Sequence, residues 1–334
     1  MPTRLKVLEG IVGKVRAQLG ADSAIMLSEG NRSEVTEVIP TGISVLDHYL
    51  LGCGGLPVGR MIEVYGPEGA GKSSLMYAFL AAAQREKGVA IYCETEFAFS
   101  ENRAVLFGVN PEELALLQPN NLEETYDAMV AALNAIPEGV GPNLLVWDSI
   151  AATPPKAEQE GEAADIAMGK RAQMLNKLCR NIPQLAAKKR CSVVFVNQVR
   201  EKIGVMFGSP ETTPGGASVK FFASARIRIG AGKPLKDGAD EIGRDAEAKM
   251  KKNKLAPPHR EALLRLKYEE GWDERWSTIS HAKDQEVVPA NTKTTNKAYG
   301  DSLASLKWPA SELFKVADAE ERLEKTPAPE LPEE

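Results

Sequence analysis

Short unbroken apolar runs recur along the first two-thirds of the chain, with amphipathic stretches between them. Met61-Ile62-Glu63-Val64-Tyr65, Val89 to Cys93, Leu144-Leu145-Val146-Trp147 and Ser192-Val193-Val194-Phe195-Val196 each read as a strand buried on both faces. The segments Ser74 to Lys87, Leu122 to Ala135 and Ala172 to Lys188 carry the helical pattern instead. Alternation of this kind predicts an α/β fold with a mainly parallel central sheet covered by helices on both faces. Ahead of it, Leu5, Leu8, Ile11, Val12, Val15 and Leu19 recur at helical spacing up to Gly20 and predict an amphipathic N-terminal helix. Past Phe221 the pattern changes: Phe221 to Ile229 and Glu261 to Tyr268 read as strands with no long helix between them, so antiparallel strands are expected to extend the sheet. Periodicity weakens beyond Gly271. The chain is therefore divided into an N-terminal helix and linker (1–35), a core (36–271), a small accessory domain (272–318) and an acidic tail (319–334). From Asp318 onward seven acidic residues stand against two basic ones, with three prolines, which suits a solvated segment.

Composition adds limits rather than a direction. With 334 residues, 43% hydrophobic and 26% charged, the chain can bury a sizeable core. A net charge of -5 disfavours an all-over basic binder but leaves room for a local basic groove. Cys53, Cys93, Cys179 and Cys191 lack metal-ligand spacing and lie in or beside apolar segments, as buried reduced thiols do. No signal-like N-terminus and no run of roughly 20 apolar residues is present. A soluble cytoplasmic protein without a membrane partner is expected.

The sharpest local chemistry is Gly66-Pro67-Glu68-Gly69-Ala70-Gly71-Lys72-Ser73, followed by Ser74. Glycines let consecutive N–H groups turn toward phosphate oxygens, and the following helix aims its positive end at them. Lys72 is then expected on the β- and γ-phosphates, and the Ser73 hydroxyl on magnesium. The pattern sits after a predicted strand and before a predicted helix, which is the context a phosphate loop requires. Asp148, directly after an apolar strand, is placed to serve the metal, although an aspartate there also suits a turn. Glu94 and Glu96 end another strand, where ligands of parallel sheets collect. Gln198 ends the fourth; alone, a glutamine there is more simply a surface amide.

From about Leu5 to Tyr268 the chain resembles the bacterial RecA recombinases and their phage-encoded relatives. The resemblance is carried by Gly54-Gly55-Leu56-Pro57-Val58-Gly59-Arg60, the phosphate loop, and Trp147-Asp148-Ser149-Ile150-Ala151-Ala152. Its most specific part runs from Asn197-Gln198-Val199-Arg200 through Ile203-Gly204-Val205-Met206-Phe207-Gly208 and Pro210-Glu211-Thr212-Thr213 to Gly215-Gly216 and Lys220-Phe221. It implies a RecA-like P-loop ATPase core, Glu96 as catalytic glutamate, Asp148 as the magnesium-linked aspartate and Gln198 as the residue coupling ATP to DNA. Lys252 and Lys254 match lysines that reach the ATP of an adjacent subunit. The chain departs from the family at Ser100 and Arg103, where an aspartate and a tyrosine commonly surround the adenine. It departs again at Gln173, where Arg171 stands two residues earlier.

Two segments resemble DNA-binding loops. The first spans Glu158 to Gly169, with Met168 and Gly169 in it and Arg171 and Arg180 close behind. The second, glycine-rich with Gly204, Gly215 and Gly216, spans Arg200 to Ala217, with Arg200 and Lys202 for phosphates and Ile203, Met206 and Phe207 as apolar wedges. Such loops grip backbone and support bases without reading sequence. The function implied is an ATP- and Mg2+-dependent recombinase. It would form helical filaments on single-stranded DNA and pair it with homologous duplex DNA, assisted by single-strand-binding and loader proteins. A hexameric helicase-like motor and a mediator without strand exchange are the alternatives.

Overall fold

The computed structural model describes residues 3–29, 35–201 and 211–306. Contacts divide the chain into two units, 1–36 and 37–334. In the first, α1 (Arg4–Leu19) starts at Thr3, whose hydroxyl accepts the Lys6 N–H, and stops at Gly20, which adopts φ 98°. Arg16 folds the following segment back along the helix by donating to the Ala24 carbonyl at 2.8 Å and to Glu29 at 2.5 Å. No residue of α1 is buried, and Leu5, Leu8 and Ile11 stand exposed.

The second unit is built on nine strands: β1 (Met61–Gly66), β2 (Ala90–Glu94), β3 (Leu114–Leu117), β4 (Asn143–Asp148), β5 (Cys191–Gln198), β6 (Ala225–Asp237), β7 (Asp240–Asn253), β8 (Glu261–Lys267) and β9 (Gly271–Asp273). Their order across the sheet is β9-β8-β7-β6-β1-β5-β4-β2-β3. The pairs from β6 to β3 are parallel; β6–β7, β7–β8 and β8–β9 are antiparallel. Among the described residues, the α-helices of six residues or more in this unit are α2 (Lys72–Arg85), α3 (Glu101–Leu106), α4 (Leu122–Ala135), α5 (Ala164–Lys188), α6 (Gly216–Phe222), α7 (Glu274–Asp284) and α8 (Asn296–Ser305).

Because side chains alternate along a strand, Leu145, Trp147, Val193 and Phe195 share one face of the sheet. There they pack with Met129 and Leu133 of α4 and Leu178 and Ile182 of α5, and Trp147 meets Phe195 edge-on at 5.2 Å. The helix α2, with Leu75, Met76 and Phe79 fully buried, packs on β1, β2 and β4. The ends of β4 and β5, Asp148 and Gln198, and Glu96 just past β2 line one cleft with the start of α2, the arrangement that gathers ligands.

Three details depart from the sequence reading. Phe221 and Phe222 lie in α6 rather than in a strand, because Gly215 at φ 97° starts a helical turn that buries Val219, and β6 begins only at Ala225. The strands β3 and β7 gave weak patterns. The buried positions of β7 are largely small (Ala246, Ala248 and Met250 between charges), and β3 is only partly buried. Finally, α5 begins eight residues before the expected Ala172, so Met168 and Gly169 are helical, and with Glu158 and Gln159 in the short helix Lys156–Gln159 only residues 160–163 of the first DNA-loop segment are irregular.

Candidate nucleotide site

Strand β1 delivers the chain to Gly66, where no side chain fits: a Cβ would lie 1.9 Å from the Ile229 carbonyl oxygen of β6. The loop then reaches Gly71, which caps α2 at φ 93° and rests against Leu266 and Trp272. Lys72 opens α2, and its ammonium donates to the Pro67 carbonyl at 2.7 Å, spanning the loop. Burial pulls its pKa below the usual lysine value, against the pull of Asp148, Glu96 and Glu68.

Beside it lies Asp148, the last residue of β4, in register with Glu94 at the end of β2. One carboxylate oxygen, Oδ2, accepts both the Ser73 hydroxyl at 3.1 Å and the Tyr92 hydroxyl at 2.7 Å. Burial pushes Asp148 up to about 6, while those two hydroxyls and Lys72 work in the opposite direction. The Asp148–Ser149 peptide is cis. Glu96 reaches the same place from the end of β2: its Oε1 accepts from the Gln198 amide at 3.0 Å and from the Ser149 hydroxyl. Glu94 points elsewhere, buried and held by the Phe99 N–H at 2.5 Å and the Gln118 amide at 3.0 Å.

These groups line one cleft of about 610 Å³, with Glu68, Gly69, Gly71, Lys72, Ser73, Ser74, Glu96, Asp148 and Gln198 on its wall. Its other wall was not foreseen. Arg244 of β7, Leu266 of β8 and Tyr268 line the cleft too. Arg244 donates to the Gly69 carbonyl at 3.1 Å, to the Tyr268 hydroxyl at 3.0 Å and to Glu241 at 2.7 Å. Nothing local marks these residues; only the fold of the antiparallel hairpin over the phosphate loop brings them in. The aromatic Tyr268, closing a predicted strand three residues before Gly271, was the single available hint.

Of the two positions that depart from the family at the base, Arg103 lines the cleft and donates to the Ser74 hydroxyl at 3.3 Å. Ser100 caps α3, accepting the Arg103 N–H at 3.4 Å, while its own N–H donates to the Tyr77 hydroxyl at 3.1 Å. Lys252 and Lys254 are not on the wall of their own chain's cleft. Lys252 donates to the Lys220 and Phe221 carbonyls, both at 2.7 Å, and the Lys254 backbone N–H donates to Ser224.

Among the expected DNA-facing residues, Met168, Gly169, Arg171 and Arg180 lie on α5. The Arg171 guanidinium is turned inward, onto the Ile150 carbonyl at 2.6 Å and the Ala151 carbonyl at 3.4 Å. Arg200 lies in a two-residue strand, Arg200–Glu201, paired antiparallel with Glu211–Thr212. Gly215 and Gly216 start α6, and Lys202, Ile203, Gly204 and Phe207 lie outside the described residues.

Ser73 and Asp148 offer two hard oxygens side by side. Among the described residues no group of three or more His, Cys, Asp or Glu could enclose an ion. That donor set fits Mg2+, which takes one or two protein ligands and completes its shell with water and phosphate oxygens. No described helix is long and apolar enough to cross a membrane.

Comparison with known proteins agrees with this geometry. The family profile described as the RecA N-terminal domain matches residues 6–273. The chain is 40% identical over 288 residues to a protein named Protein RecA from Paenarthrobacter aurescens, covering 86% of this chain and 81% of that relative. It is 39% identical over 268 residues to Protein RecA of Bacteroides thetaiotaomicron (80% and 79% covered). Against Protein RecA of Acinetobacter baumannii it is 37% identical over 285 residues (85% and 79%).

Proposed function

The chain belongs to the RecA family and is an ATP-dependent DNA recombinase, and on that premise we propose how its residues divide the work. Nucleotide binding, DNA binding and self-association come with the family. The individual roles are our reading, and one observation carries it. Glu96 and Gln198 share a 3.0 Å hydrogen bond at the mouth of the cleft that also holds Lys72, Ser73 and Asp148.

The nucleotide is ATP, its phosphates cradled by the N–H groups of 66–73 and by Lys72. Ser73 and Asp148 would hold Mg2+, which would neutralise charge on the phosphate oxygens. Glu96 orients and deprotonates the attacking water, kept in place by Ser149 and Gln198. Gln198 senses the γ-phosphate: its amide leaves Glu96 for a phosphate oxygen, and the segment beyond it responds. Lys252 and Lys254 act on the cleft of the adjacent subunit, so hydrolysis depends on assembly. The helix α1 docks on a neighbouring subunit and residues 272–318 serve as the accessory domain. Single-stranded DNA lies against Arg200 and the second loop, with homologous duplex as the second substrate and single-strand-binding and loader proteins as helpers in a bacterial cytoplasm.

Glu96→Gln tests the centre of this reading. Nucleotide binding should persist while DNA-stimulated hydrolysis falls by about 100-fold or more. Retained hydrolysis would remove Glu96 from the mechanism. A strand-exchange assay with homologous and heterologous duplexes tests the substrate: product from the homologous duplex alone is expected.

A further inference from the structure

Strand β1 carries a carboxylate, Glu63, between the apolar Ile62 and Val64, in register with Phe195 of β5 and Arg226 of β6. Glu63 lies in the centre of the sheet between β5 and β6 and is fully buried. A buried ion pair is rarely worth more to stability than apolar residues of the same volume. What Glu63 touches gives it another use. Its Oε1 accepts from the Asn197 amide at 3.0 Å, and its Oε2 pairs with Arg226. The same Asn197 nitrogen donates to the Pro214 carbonyl at 2.8 Å, while the Asn197 oxygen accepts the Gln198 N–H at 3.0 Å. Asn197 therefore joins the backbone of the proposed γ-phosphate sensor to the returning limb of the second DNA-facing loop.

The chain of contacts closes on itself. Arg226 pairs across the β6–β7 ladder with Lys252, whose ammonium holds the Lys220 and Phe221 carbonyls in α6. That helix starts at Gly216, two residues after Pro214. One buried carboxylate thus stands between three places that have to agree: the sensor, the foot of the DNA loop, and the strand bearing the proposed trans-acting lysines.

We propose that Glu63 and Asn197 are positioning residues that transmit the state of Gln198 to Pro214, so that DNA affinity follows the nucleotide. Movement of the Gln198 backbone pulls on Asn197 Oδ1, and the rigid amide passes that pull to Pro214 through its nitrogen. Glu63 fixes the pivot, since its second oxygen is anchored by Arg226. The inference rests on Gln198 being the sensor.

The test is the ratio of single-stranded DNA affinities measured with a non-hydrolysable ATP analogue and with ADP, using a fluorescent oligodeoxythymidine. Two variants are compared with the native chain. Asn197→Ala removes all three Asn197 side-chain bonds. The double variant Glu63→Met/Arg226→Met replaces the ion pair by apolar side chains of similar volume and keeps the sheet packed. For both, the ratio should fall by about tenfold or more, toward one, with ADP affinity within about threefold of native. A purely structural role would leave the ratio intact in the folded double variant, and that result overturns the proposal, whether or not Asn197→Ala folds. Gln198→Ala separates the two readings. If it keeps the ratio, the sensor assignment fails; if it loses the ratio while both other variants keep it, only the link fails.

Discussion

Replacing Asp47 with asparagine should flatten the dependence of folding stability on pH, by an amount the burial of its carboxylate sets. Asp47 lies in the π-helical turn Val45–Leu51 and is 3% exposed. Its two oxygens accept from the Thr41 N–H at 2.8 Å and the Thr41 hydroxyl at 2.7 Å. Burial raises its pKa to about 8, outweighing the Thr41 bonds, and nearby Glu274 raises it further. Glu274, which accepts the Ser44 N–H at 3.0 Å, is itself pushed up to about 7 by burial. The other ionisable groups nearby are His48 and His281, both lowered by burial, Arg85, and Tyr299 on the Glu274 carboxylate.

A carboxylate raised in the fold contributes stability that is complete below its unfolded value and is lost as pH rises through its folded value. For Asp47 the loss runs upward from about pH 4 and levels off above about pH 8. Between pH 7 and 9 the folded chain surrenders about one proton that the unfolded chain has already lost, a cost of about 1.4 kcal/mol. Asparagine cannot titrate, yet it keeps both Thr41 contacts by accepting the N–H and donating to the hydroxyl. Urea unfolding of both proteins at pH 7, 8 and 9 measures the difference directly, and effects of groups that do not interact with Asp47 cancel in it, the Glu274 carboxylate being the exception that titrates in this range. The native advantage over Asp47→Asn should shrink by about 1.4 kcal/mol across that range. A constant difference would refute the reasoning, since Asp47 would then be ionised throughout and its Thr41 bonds would outweigh burial.

Tyr92→Phe removes one of two hydroxyls on Asp148 Oδ2 and should raise several-fold the Mg2+ concentration that half-saturates binding of a fluorescent ADP, with little change in melting temperature. Gly66→Ala should destabilise by about 3 kcal/mol or more in thermal unfolding, because the Ile229 carbonyl occupies the methyl position. Gly69→Ala meets no atom within 4 Å and strains only its φ of 69°, for about 1–2 kcal/mol. Salt titration of binding to single strands should show a log–log slope of about -0.7 per phosphate neutralised. Arg200→Ala should flatten that slope by one such step; Arg171→Ala should leave it unchanged, because Arg171 is committed to the Ile150 carbonyl.

What could be read from the sequence follows from which signals are local. The strands ending at Gly66, Asp148 and Gln198 are continuous apolar runs, and the helix α4 matches its expected span residue for residue. Asp148 and Gln198 end such strands, Glu96 follows one by two residues, and Lys72 and Ser73 open the helix after another, so a parallel sheet alone brings them to one cleft. Arg244, Leu266 and Tyr268 arrive by antiparallel extension, whose register is set by long-range pairing such as Arg244 with Leu266, and no local pattern announces that. Burial of Glu63 was likewise illegible: a glutamate in an apolar run looks like an interruption until Arg226 and Asn197 are seen to satisfy it.

Lys72, Asp148 and Glu96 in the cleft already have partners within the chain, and under the proposed roles this bears on how it tells two nucleotides apart. Lys72 is held by the Pro67 carbonyl, and Asp148 by two hydroxyls. Any nucleotide with a β-phosphate can displace the Pro67 carbonyl, so that exchange is common to the di- and triphosphate and carries no information about which is bound. Under the proposed roles the Glu96–Gln198 bond differs, because there a γ-phosphate, which the diphosphate lacks, would compete with Glu96 for the Gln198 amide. Differential affinity is the one quantity that shifts a conformational equilibrium, so the proposed roles put the distinction at Gln198. Placing Asn197 next to it, with one face on the Gln198 N–H and the other on Pro214, puts the readout one residue from the discriminating contact.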